Sequence, residues 1–203
     1  FMDLGKPNNG GVKLFSVSGH VNNPGNFEVP MGIPFRDLLE LAGGVRDGHK
    51  LKAVIPGGSS MPVLPADVIM ETDMDYDSLS RAGSALGSGA VMVMDDSTCM
   101  VKASMRVSRF YFAESCGQCT PCREGTGWMY RIIKRIEEGQ GRPEDLDLLL
   151  SAADNIAGKT ICAFGEAAAW PVQGFLRHFR EEFEYHITHK RCMVGASAKG
   201  AAA

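Results

Sequence analysis

Three cysteines fall within seven residues, Cys116-Gly-Gln-Cys119-Thr-Pro-Cys122, with two residues between each adjacent pair. Thiolates are soft ligands, and a C-x2-C-x2-C loop turns three of them toward one small inorganic group. A [4Fe–4S] cube takes four thiolates, commonly three from such a loop and one from elsewhere. The intervening residues suit that task. Gly117 allows tight wrapping where a side chain would collide with the cluster. Pro121 fixes φ and is expected to keep the segment out of helix before Cys122. A helix starting just after it would aim free N–H groups and a positive dipole end at a negatively charged thiolate group.

The fourth ligand must come from Cys99, Cys162 or Cys192. Cys162 lies in a glycine-bounded loop, Gly158-Lys-Thr-Ile-Cys162-Ala-Phe-Gly165, between two expected helices, and is the expected fourth ligand. Cys99 stands beside Asp95-Asp96, whose negative charge disfavours a thiolate. Cys192 lies near the end of the chain. Other uses of these cysteines fit less well. A structural zinc site built only of cysteines uses two separated C-x2-C pairs rather than a cluster of three. Disulfides belong to oxidising compartments, and no signal peptide opens this sequence. Unliganded core cysteines would not be surrounded by Gly, Gln, Thr and Pro.

The 203 residues suffice for one large domain or two small ones. Lys and Arg number 21 against 24 Asp and Glu, so nothing asks for nucleic acid or an anionic membrane as partner. The longest apolar runs, such as Gly89–Met94, fall far short of the ~20 residues of a membrane span. The chain begins at Phe1 rather than Met, which is expected of a fragment or processed product.

The elements that must position the cysteines occupy the second half. Helices are expected over Val101–Glu114, Arg123–Glu138, Pro143–Ile156 and about Glu166–His186. The second shows Met129, Ile132, Ile133 and Ile136 on one face. The third shows Leu146, Leu149, Leu150 and Ala153, and the fourth Val172, Phe175, Leu176, Phe179 and Phe183. Pro171 is tolerated early in the last helix, with a bend expected. Four helices with short connections make a small bundle. The first half reads differently. Lys13–Val21 and Asn26–Val29 flank the turn Asn22-Asn23-Pro24-Gly25 as a hairpin, with Phe15 and Val17 on one face. Pro34–Ala42 is a helix, and Lys52–Ile55 and Ala90–Met94 are strands. A hairpin, a helix and further strands form a β-grasp, or ubiquitin-like, pattern, so the fold class is α+β. Gly87-Ser88-Gly89 precedes a strand, the wrong order for a phosphate cradle. Trp128 and Trp170 are read as core or interface, His178 and His186 as solvated or structural, and the tail from Gly195 as disordered.

With these residues in view, a family resemblance emerges. Glu114–Gly127 (ESCGQCTPCREGTG), Thr160–Gly165 (TICAFG) and Trp170–Phe179 (WPVQGFLRHF) closely resemble the NADH-binding flavoprotein subunit of respiratory complex I. Ser18–Val21, Pro34–Gly44 and Ala53–Val63 resemble its SLBB β-grasp domain. The resemblance implies one [4Fe–4S] cluster on Cys116, Cys119, Cys122 and Cys162. It implies FMN and NAD bound by an upstream flavin domain that has no counterpart here, and neighbouring iron–sulfur subunits that take electrons toward quinone. Ala163 and Phe164, following a ligand cysteine, are expected near that flavin. The homologous diaphorase subunit of an NAD-linked hydrogenase or formate dehydrogenase is the alternative. A zinc-stabilised assembly adaptor is an alternative of another class. The implied division is a linker over 1–12, an SLBB domain over 13–97, a cluster-binding bundle over 98–188 and a disordered tail over 189–203. The implied setting is the cytoplasmic side of a bacterial inner membrane or the mitochondrial matrix side. Without its flavin domain, the chain alone is not expected to oxidise NADH.

Overall fold

A computed structural model describes residue 1 and residues 3–194. The chain divides into two compact units, Phe1–Ser97 and Thr98–Ala203.

The first unit opens with a small hairpin, β1 (Gly5–Lys6) and β2 (Asn9–Gly10), in the stretch read from sequence as linker. β3 (Val12–Gly19) and β4 (Gly25–Pro30) then pair antiparallel, with Phe15 opposite Phe27 and Val17 opposite Gly25. The alternation is as the sequence requires. Phe15 and Val17 are buried, while Leu14 on the other face of the strand is exposed. Helix α1 (Phe35–Leu41) buries Phe35, Leu38 and Leu39. β5 (Leu51–Ile55), the short β6 (Leu64–Pro65), α2 (Ala66–Ile69), α3 (Tyr76–Arg81) and β7 (Ala90–Asp95) complete the unit. The five-stranded sheet has the order β4-β3-β7-β5-β6, and β3 and β7 run parallel. This is the β-grasp arrangement. Its core joins Phe15, Val17, Val91 and Val93 of the sheet to Phe35 and Leu38 of α1. The turn helices α2 and α3 are shorter than a period argument can detect. The cap of α3 is nevertheless plain, because the Asp75 carboxylate accepts from the Ser78 N–H at 2.6 Å.

The second unit is helical: α4 (Met100–Glu114), α5 (Thr120–Glu137), α6 (Asp145–Asp154) and α7 (Phe164–His189). Met129, Ile133, Leu149, Phe175 and Phe183 are all essentially inaccessible and form its core. Three features of these helices differ from the expectation. Helix α5 begins three residues before the expected Arg123, so Pro121 lies inside its first turn, where a missing N–H costs nothing. The helix after Pro143 begins at Asp145 rather than at the proline. The irregularity of α7 falls at Phe179 (φ −131°, ψ 26°) and not at Pro171. None of the described helices is long and apolar enough to cross a membrane. Residues 195–203, read from sequence as a disordered tail, lie outside the described residues.

Candidate metal centre

Each of the three clustered cysteines owes its place to a helix end. Helix α4 stops at Glu114, and Ser115 leaves it with an extended backbone (φ −62°, ψ 126°). Cys116 follows, exposed. Gly117 then turns the chain at φ +78°, a left-handed conformation that a side chain would strain. Cys119 is the N-terminal flanking residue of α5, and Cys122 lies in its first turn, buried. The Arg123 guanidinium donates to the Gly117 carbonyl at 3.2 Å and so braces the turn from the helix side. Cys162 lies just ahead of α7, exposed, in a loop closed by two short bonds. There the Gly158 N–H donates to Glu166 at 2.9 Å, and the Thr160 hydroxyl donates to the Cys162 carbonyl at 2.8 Å.

The fold brings the four together. Cys116, Cys119, Cys122 and Cys162 line one cavity of about 170 Å³, whose wall also includes Ser115 and Phe164. The Ile161 N–H donates to the Cys119 sulfur at 3.4 Å, joining the second loop to the first. The Ser115 hydroxyl stands 3.3 Å from the Cys122 sulfur. Two helices, α5 and α7, begin at this cavity, so their positive ends face it. Four soft donors around one concavity, with hydrogen bonds reaching their sulfurs, fit an iron–sulfur group.

A larger cavity of about 660 Å³ lies between α5 and α6, lined by Trp128, Ile132, Leu148 and Ile156 among others. It contains no cysteine or histidine. Trp128, read from sequence as core or interface, is 54% exposed on this groove and is therefore not core. His186, read as solvated or structural, has no exposed surface.

Residues 102–186 match the family model described as the NADH-ubiquinone oxidoreductase-F iron-sulfur binding region, and residues 14–64 match the SLBB domain. Over these residues the chain is the SLBB and iron–sulfur binding region of the oxidoreductase-F family. The F subunit of the NADH-quinone oxidoreductase of Rickettsia bellii is 55% identical over 189 residues, 92% of this chain and 45% of that protein. Its counterpart in Rickettsia felis is 56% identical over 189 residues, 92% of this chain and 44% of that protein. The chain thus spans less than half of these relatives. An NAD+-reducing [NiFe]-hydrogenase in its H2-reduced state superposes with a TM-score of 0.83 at 32% identity, over 92% of this chain and 31% of the hydrogenase chain. In this oxidoreductase-F region the four cysteines lie on either side of Thr126, whose buried hydroxyl donates back to the Cys122 carbonyl at 2.8 Å and fixes the first turns of α5.

Proposed function

We propose that Cys116, Cys119, Cys122 and Cys162 hold one [4Fe–4S] cluster, and that the chain is the electron-relay part of an NADH dehydrogenase module of the complex I type. The observation that carries this reading is the convergence of the four thiols on one cavity at two helix N-termini. When bound, such a cluster supplies one-electron carriage, here between an FMN that NADH reduces in the upstream region and the next iron–sulfur subunit toward quinone.

The chain's own residues set the conditions. The Ile161 N–H on Cys119 and the Ser115 hydroxyl beside Cys122 withdraw negative charge from the sulfurs, which favours the reduced state. Phe164 packs edge-on against Tyr111 with centroids 5.4 Å apart and holds water off one side of the cavity. Because they follow the ligand Cys162 directly, Ala163 and Phe164 are the residues of this loop proposed to approach the flavin. The module works peripherally, on the cytoplasmic side of a bacterial membrane or on the matrix side. The likeness to the NAD+-reducing hydrogenase supports a second reading, the diaphorase subunit of such an enzyme, with the same ligands.

Anaerobically purified chain should be brown, with about four irons. Cys162→Ala should lose or degrade the cluster, whereas Cys162→Ser is a less clean probe because an alkoxide can ligate iron. The same preparation, given FMN, should show no NADH–ferricyanide turnover. A full [4Fe–4S] resonance in Cys162→Ala would overturn the ligand assignment. A colourless chain without iron would overturn the relay.

A further inference from the structure

The remaining two cysteines are not idle. Cys99 Sγ, a ring nitrogen of His186 and Cys192 Sγ all lie within 4.8 Å of one another. They come from separated parts of the second unit. Cys99 flanks the start of α4, His186 is in the last turn of α7, and Cys192 follows that helix. The chain is brought back there by Lys190, which takes a left-handed conformation and donates through Nζ to the Gly141 carbonyl at 2.6 Å. Glu137, the last residue of α5, adds a carboxylate beside them.

The spacings are those of ligands. Two donors bound at the usual zinc distances of about 2.3 Å (S), 2.1 Å (N) and 2.1 Å (O) and separated by a tetrahedral angle stand about 3.4–3.8 Å apart. Cys99 Sγ is 3.6 Å from His186 Nε2 and 3.8 Å from Glu137 Oε2, and His186 Nε2 is 3.3 Å from Glu137 Oε2. The last of these is longer than a charge-assisted N–H···O bond, which runs about 2.7–2.9 Å. The imidazole is also held as a metal-ligating imidazole is held. Its Nδ1 lies 2.7 Å from the Glu182 backbone carbonyl, which can only accept, so Nδ1 carries a proton and Nε2 is the nitrogen turned toward Cys99. His186 is wholly buried and Cys99 is 9% exposed, so these two donors are shielded from competing water.

We propose that Cys99, His186 and Cys192, with Glu137 as the nearest further donor, form a second metal site that takes one zinc ion. Two thiolates, an imidazole and a carboxylate suit zinc above harder cations. The role is structural, because the ion ties the start of α4 and the ends of α5 and α7. The site shares no residue with the cysteines lining the cavity at the other ends of these helices.

The test is metal analysis of the whole chain, prepared anaerobically in zinc-containing medium, with iron and zinc counted separately. About one tightly held zinc is expected in addition to the iron. Cobalt exchanged into the site should show the intense visible bands of tetrahedral thiolate coordination. Cys192→Ala, at a half-buried position outside the core, should lose zinc by more than the ~10–100-fold in affinity that an outer-shell change costs, with iron unchanged. Three results would overturn the proposal: an intact Cys99–Cys192 disulfide in the native chain, octahedral cobalt spectra, or zinc content unaffected by Cys192→Ala. Iron lost with zinc retained would count against the relay and leave this site standing.

Discussion

Asp95 has no exposed side-chain surface yet keeps its charge. Burial alone would push its carboxyl upward, but Ser97 donates to it at 2.6 Å, Arg46 pairs with it, and His20 lies 2.9 Å away, so it is held down at about 2. His49, 3.7 Å off and engaged with Asp96 at 2.7 Å, completes the ring of groups around it. The unfolded carboxyl titrates near 3.9, so the folded chain binds this proton later than the unfolded one. The stabilisation is therefore complete above about pH 4 and is lost as the pH falls from there toward 2. Asp95→Asn should destabilise the first unit by about 2 kcal/mol at pH 7, and the gap between variant and wild type should close in acid. Denaturant unfolding across pH 2–7 checks this, and a gap independent of pH would refute it. None of this cluster is legible in the sequence. Its members sit at positions 20, 46, 49, 95 and 97, and only the pairing of β7 with its neighbours collects them.

Gly165, the second residue of α7, sits with no room to spare. A Cβ there would meet Thr160 Oγ1 at 2.3 Å and Thr160 Cγ2 at 2.8 Å. Thr160 is short and already committed to the Cys162 carbonyl, so the loop rather than a flexible side-chain end must move. Gly165→Ala should cost about 1–3 kcal/mol and shift Cys162, and iron release to a chelator should quicken. Unchanged release would show that the loop yields without moving the ligand. Such steric demands belong to assembled elements, and this marks what sequence reading can reach. The hairpin of β3 and β4, helix α1 and the helices α5, α6 and α7 are legible because each repeats its burial period, whereas α4 buries Ser104 and Ser108 and leaves Phe110 and Phe112 exposed, so its apolar pattern is loose. Cys162 stands out because its loop is bounded by glycines. By contrast, α2, α3 and β6 span four, six and two residues, too short for any period to declare itself. The start of α5 is misread from sequence because proline breaks a helix in its interior but is welcome in its first turn. The grouping of Cys99, His186 and Cys192 is hidden by distance along the chain, and the buried state of His186 by the amphipathic reading of its helix.

At the scale of the whole molecule, three helices of the second unit run between the two groups of donors. Helix α5 has Cys119 and Cys122 at its start and Glu137 at its end. Helix α4 has Cys99 at its start and Cys116 beyond its end. Helix α7 follows Cys162 and has His186 in its last turn, shortly before Cys192. At 1.5 Å per residue the 18 residues of α5 separate the groups by about 27 Å, so each acts on its own end of the bundle. The first unit has no cysteine at all, and its core closes on aliphatic and aromatic side chains and methionines alone. Metal removal should therefore divide the chain. Because ligands from separate segments are joined only by the metal, its binding energy is folding energy for the segments it joins. In metal-free chain, amides of β3, β5 and β7 should keep their hydrogen-exchange protection, while protection in the second unit should fall first at the helix ends. The two single substitutions resolve the ends: Cys162→Ala should expose residues 116–124 and 158–165, and Cys192→Ala the start of α4 and the last turn of α7. Full protection of the helices in metal-free chain would show that their apolar core suffices without either group. Loss of protection in β3 and β7 would show that the first unit does not stand by itself.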